Sequence, residues 1–259
     1  MPVRADPAAG GALLFARYAY PPNALGYCGP DSPQALLEHA STGQEDGDLR
    51  RLARGFEGAW PYLELIAEAN GIGDPLDARV VEAYWVGNAL LDHVSTGMTG
   101  RSLDERFRRR AGASWSRLAA EIPEARPHHS FHVFGVYPWL GLLREGRHDE
   151  PVRVLDRCRV RWGKVVEVAG DHALVLSRPL EWDGRLLREG APRVERVLAT
   201  AGGLGLAGNL RPGSWCSMHW DWVCESLDAR RVAELRRRSA HQLAAVNAQA
   251  YPAPASVLS

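Results

Sequence analysis

The chain has 259 residues, 46% of them hydrophobic, enough for one large or two modest packed domains. Lys plus Arg and Asp plus Glu are 31 each, a formal charge of zero that offers no general attraction to phosphate backbones or anionic membranes. No nucleic-acid partner and no membrane partner is therefore expected. No apolar run approaches the ~20 residues that span a bilayer. The opening Met1-Pro-Val-Arg-Ala-Asp lacks the charged-then-apolar pattern of a secretion signal, and Cys28, Cys158, Cys216 and Cys224 form no Cys-x-x-Cys pair. These features predict a cytoplasmic protein with reduced thiols.

Residues 1–150 read as a mostly helical domain. Apolar residues at Leu52, Phe56, Ala59 or Trp60, Leu63 and Ile66 predict a helix over Leu49–Asn70, closed by Gly71-Ile-Gly-Asp-Pro. A second helical segment opens at Pro75 and carries Val80, Val81, Tyr84, Leu90, Leu91 and Val94. A third is predicted over Ser102–Ile122, where Ser102 and Glu105 have capping-box spacing.

The character changes after Gly146-Arg-His-Asp-Glu-Pro151, the expected boundary of a second domain over 151–259. Val165–Val168 and Ala173–Leu176 read as strands joined by the turn Ala169-Gly-Asp-His172, and Val194–Leu198 and Trp215–Glu225 complete the β-rich part. Asp228 is placed to cap a last helix with Val232, Leu235, Leu243 and Val246 on one face. The expected class is α+β: a helical N-terminal domain, then a small OB-like β-barrel with a C-terminal helix.

Two stretches carry the functional signal. Cys158-Arg-Val-Arg-Trp-Gly163-Lys-Val-Val-Glu-Val168 places a cysteine five residues before a glycine that opens a β-branched run. Gly213-Ser-Trp-Cys-Ser-Met-His219 is followed nine residues later by Asp228. In order and spacing, the region from about Cys158 to Asn247 resembles the HypC/HupF-type chaperones of nickel–iron hydrogenase maturation. That family's cysteine follows the initiator Met and becomes the amino terminus, whereas Cys158 is internal. Trp162 and Ser214 stand where proline and aspartate are usual. The resemblance implies a non-catalytic assembly factor that carries iron bearing CO and cyanide ligands. It implies Cys158 as the thiolate ligand and His219 as its helper. The implied partners are a HypD-type scaffold protein, as donor, and the hydrogenase large-subunit precursor, as recipient.

The residues themselves are compatible with that chemistry. Low-spin iron accepts soft thiolate donors, and Arg157, Arg159 and Arg161 around Cys158 are expected to favour the thiolate. If Trp215–Glu225 is one strand, Cys216, Met218, Trp220, Trp222 and Cys224 share the core face. His219 then lies on the other face with Ser217 and Asp221. Elsewhere, His128-His129-Ser-Phe-His132 and Cys28 are metal-ligating residue types and form a candidate second site. A helix over His128–Leu143 would put His128 and His132 on one face. The glutamate of a His-Glu-x-x-His protease is absent there, which disfavours a metal-dependent enzyme. Gly203-Leu-Gly-Leu-Ala-Gly208 matches a dinucleotide fingerprint by letter, but Pro212 and Gly213 interrupt the helix it needs, so a loop is expected. Arg236, Arg237 and Arg238 read as a solvated helix face. The alternative to an iron carrier is a protein-docking module without iron chemistry.

Overall fold

The computed structural model describes residues 10–111 and 125–249. It shows mixed helix and sheet, with helices first and a long helix last. The first helix, α1 (Gly11–Ala24), is apolar on every side and buried almost throughout, as such a helix must be. Around it pack α2 (Pro33–Thr42), α3 (Gly47–Arg54) and α5 (Ala78–Trp85), with α4 (Trp60–Ala69) against α5. Asp46 caps α3 through the amides of Asp48 and Leu49, and Asp77 caps α5 through Arg79.

The helix expected over Leu49–Asn70 is two helices. Gly55 follows the end of α3 at Arg54, and Pro61, which lacks an N–H, is tolerated in the first turn of the new helix that starts at Trp60. The segment from Pro75 divides as well. Gly87, at φ +101°, ends α5 and a 3-10 turn follows over Ala89–His93. The next helix, α6 (Thr96–Ala111), begins before Ser102, which therefore sits inside it and not at its start. Ser95 takes that part, its hydroxyl accepting from the Met98 amide. The expected continuation to Ile122 runs past the described residues.

A short helical turn over His129–Phe131 passes into a π-turn over His132–Val136, followed by α7 (Trp139–Arg144) and α8 (Asp149–Cys158). The stretch around residue 150, expected to be a polar turn, thus leads directly into a helix, and Cys158 is that helix's last residue. Three residues later begins β1 (Arg161–Ala169), then β2 (His172–Ser177), β3 (Leu180–Trp182), β4 (Leu187–Glu189) and β5 (Arg193–Leu198). The pairs β6 (Thr200–Ala201) with β7 (Leu204–Gly205) and β8 (Trp215–His219) with β9 (Trp222–Leu227) precede α9 (Ala229–Gln249). The glycine-rich run at 203–208 belongs to the small β6–β7 hairpin and its exit, not to a phosphate-binding helix start.

Five strands pair in the order β1-β2-β5-β9-β8, and β8 pairs again with β1, so the sheet closes on itself. Val165, Val175, Val197, Cys216, Met218 and Val223 fill its interior. Gly163 is required by this closure, since a Cβ there would sit 2.4 Å from Val175 Cγ1 and 2.8 Å from the Leu176 carbonyl oxygen. Asp228 accepts from the Arg231 amide and caps α9. The helical part and the sheet share a continuous core: Tyr18 of α1 donates to Glu225 Oε1 at 2.5 Å, and Arg230 and Arg231 of α9 clasp Glu82 of α5. Arg238, expected in solvent, is buried and binds the Asn88 carbonyl and Asp92. No described helix is long and apolar enough to cross a membrane.

Candidate metal centre

The stretch Trp215–Glu225 is a hairpin, not one strand, and the turn at Trp220-Asp221 changes what its side chains face. Cys216 and Met218 point into the closed sheet, while Trp222 and Cys224 join the core shared with α1. His219, at the end of β8, lies on the opposite side from Met218, as alternation requires, but it is fully buried because the helical part covers that face. Its Nδ1 is 2.7 Å from the Tyr18 carbonyl oxygen. Trp220 has φ +52°, a left-handed conformation held by Arg161, which donates to its carbonyl, and by its own amide donating to the Arg157 carbonyl.

Cys158, at the end of α8, lies beside His219. The third residue at this point is His129, from the short turn before the π segment. His129, Cys158 and His219 each offer a ligand atom within 4.8 Å of the others, and all three are buried. His129 Nε2 is 2.8 Å from the Cys158 carbonyl oxygen, and its Nδ1 faces the Tyr84 hydroxyl at 3.4 Å. The two imidazoles meet edge to face at 5.0 Å, and Trp85 packs on both.

The cluster borders a cavity of about 160 Å³ with largely aromatic walls, including Phe56, Tyr84, Trp85, Tyr137 and Trp139. This is room for a guest about the size of benzene. Cys28 and His132 line the same cavity. The residues expected as a separate second site are therefore, apart from His128, walls of the first. Tyr27, half exposed, closes the outer side by stacking on Trp220 at 4.4 Å. It sits with Cys28 between Gly26 and Gly29, both with positive φ, and Asn23 holds the loop through the Cys28 and Pro30 carbonyls.

His128 does not join. It is the N-cap of the helical turn, its Nδ1 accepting from the Ser130 amide, and burial beside Arg238 lowers its pKa to about 3. The helix expected over His128–Leu143 gives way to a π-turn at His132; His128 caps its start, while His132 lines the cavity. The adjacent His129 is the one that reaches Cys158.

Burial sets the protonation states. It holds His129 well below its usual value, with His219 adding to the effect, and lowers His219 to about 4 against the pull of the Tyr18 and Cys158 carbonyls. Both imidazoles are neutral near pH 7. Burial raises the Cys28 thiol to about 12 and that of Cys158 further, with Cys28 adding to the rise at Cys158 and Trp220 opposing it. The arginines expected to favour a Cys158 thiolate do not act that way. Arg157 pairs with Glu195 and Asp221, Arg159 with Asp156 and Glu189, and Arg161 with Glu195. Their charge is already neutralised, and a thiolate at Cys158 needs a cation brought to it. The site is a soft, nitrogen-and-sulfur donor set against largely aromatic walls, suited to hold a transition metal.

The profile of a family of unknown function, DUF6390, matches residues 7–253, nearly the whole chain and all of these site residues. The chain belongs to that family. No curated protein and no solved structure matches it. The DUF6390 match includes α1, Cys28, Tyr84 and His129 along with the sheet. Tyr84, Trp85, Tyr137 and Trp139 carry no signal in the sequence that would mark them as cavity walls. They converge only because α5 and the π segment pack against the end of β8.

Proposed function

We propose that this protein is a non-catalytic accessory factor of nickel–iron hydrogenase maturation. Its closed sheet serves as an OB-like barrel of the HypC/HupF kind, and its cavity carries iron with CO and cyanide ligands. The observation that carries the reading is that Cys158 and His219, the positions matched to the family's ligand and helper, lie together at one enclosed cavity although they are far apart in the sequence. The cargo is small, and CO and cyanide are stable ligands where water is kept out. The Tyr137 hydroxyl in the wall can donate to a cyanide nitrogen. Iron supplies the positive charge that the buried Cys158 thiol lacks, so loading expels its proton.

The donor in this reading is a HypD-type scaffold and the recipient is the immature large subunit, both cytoplasmic. The test is infrared spectroscopy on protein purified without oxygen after co-expression with the maturation machinery, beside a Cys158→Ala control. Bands of metal-bound CO and cyanide that vanish in the control support the carrier. A folded sample without those bands that still captures the large subunit is a docking module instead.

A further inference from the structure

The family resemblance supplies two ligating positions; the fold adds a third donor from the helical part. We propose that His129, Cys158 and His219 form a three-donor site for one bare divalent transition-metal ion of the zinc or cobalt class, its fourth position opening on the cavity. This goes beyond the carrier reading, because it needs no diatomic ligands and no partner protein.

Three observations converge. The donor atoms lie within 4.8 Å of one another. A tetrahedral ion with bonds of about 2.0–2.1 Å to nitrogen and about 2.3 Å to sulfur would draw them to roughly 3.4–3.6 Å, a movement that side-chain rotation can supply. Second, His219 is fully buried, lines the cavity and leaves its Nε2 without a hydrogen-bond partner among the described residues. Its Nδ1 faces a backbone carbonyl, which can only accept, so Nδ1 carries the proton and Nε2 presents its lone pair. A backbone carbonyl that fixes the imidazole tautomer is the usual outer-shell support of a metal-bound histidine. His129 is tethered in the same way, through Nε2 to the Cys158 carbonyl, so its lone pair is on Nδ1, which accepts from the Tyr84 hydroxyl at 3.4 Å and exchanges that hydrogen bond for the metal.

Third, the donor set selects the ion. Two imidazoles and a thiol suit zinc, cobalt, nickel or ferrous iron, and among the described residues no carboxylate lines the cavity to attract calcium or magnesium. Binding replaces the Cys158 S–H bond with a sulfur–metal bond and releases one proton to solvent.

The experiment is an anaerobic titration of chelator-stripped full-length protein with cobalt(II), read by optical absorption, followed by displacement with zinc. One equivalent of cobalt with a thiolate-to-cobalt charge-transfer band is expected. The band should disappear in Cys158→Ala, and affinity should fall at least tenfold in His129→Gln and in His219→Gln. Circular dichroism of each variant guards against misfolding. Because wild type may be read alone, absence of a saturable thiolate band in the folded wild-type protein overturns the proposal whatever the variants do. Binding that His129→Gln leaves unchanged also overturns the three-donor site. Infrared bands of CO and cyanide without cobalt uptake would leave the carrier standing and remove this site, and cobalt uptake without those bands would do the reverse.

Discussion

Acid should unfold this protein early, and the buried histidines set where. His219 has a folded-state pKa of about 4 and His128 of about 3, against 6.5 for the free side chain, and His129 is depressed as well. A group with a depressed folded value excludes a proton that the unfolded chain binds. Its stabilisation is therefore complete above about pH 6.5 and is lost as pH falls toward the folded value. Between pH 7 and about 4.5, linkage gives a loss of about 2–3 kcal/mol each for His219 and His128, and His129 adds in the same direction. Together these approach the 5–15 kcal/mol that typically holds a domain folded. The window separates them from Glu195, which Arg161 depresses against its burial and which begins to lose its contribution only below about 4.5. Glu225, raised by burial, titrates inside the window with the opposite sign and offsets part of the loss. Urea unfolding followed by tryptophan fluorescence, in chelator at intervals from pH 7.5 to 4.5, measures the slope. His219→Gln should remove about 2–3 kcal/mol of the pH-dependent loss. Stability that stays flat to within ~0.5 kcal/mol over this range in wild type would refute the reasoning.

Other perturbations probe the frame around the site. Arg161→Met removes one partner from a buried ion pair and frees the Trp220 carbonyl, though Glu195 keeps Arg157 and Ser177. A loss of about 3 kcal/mol is expected in urea unfolding, and a loss below 1 kcal/mol would mean the pair is dispensable. Gly163→Ala forces a Cβ against β2 and should cost about 1–3 kcal/mol, visible as a lowered Tm. Asp228→Ala removes the α9 cap and should cost about 1 kcal/mol, with the cobalt titration unchanged because α9 begins far from the donor atoms.

Local patterns determined much of the sheet. The β-branched runs at Val165–Val168 and Ala173–Leu176, the turn between them and the Asp228 cap all appear where side-chain alternation and capping chemistry put them. The spacing of Cys158 and His219 also marked two residues that the structure brings together. Short-range rules erred where a single glycine or π-turn redirected the chain, as at Gly87 and His132. They also failed wherever an answer depended on which distant element covers a face. The helix α1, apolar all round, has no stripe to say what it packs against, yet its burial against β8 and β9 places the Tyr18 carbonyl on His219. The three arginines beside Cys158 looked like activators of its thiol until their carboxylate partners arrived from strands and turns far along the chain. The sequence by itself marked the main strands, the last helix and which residue types could ligate. Only the tertiary structure decided that His129, not His128 or His132, completes the cluster, because side chains from separate segments become neighbours through long-range packing and not through spacing along one helix.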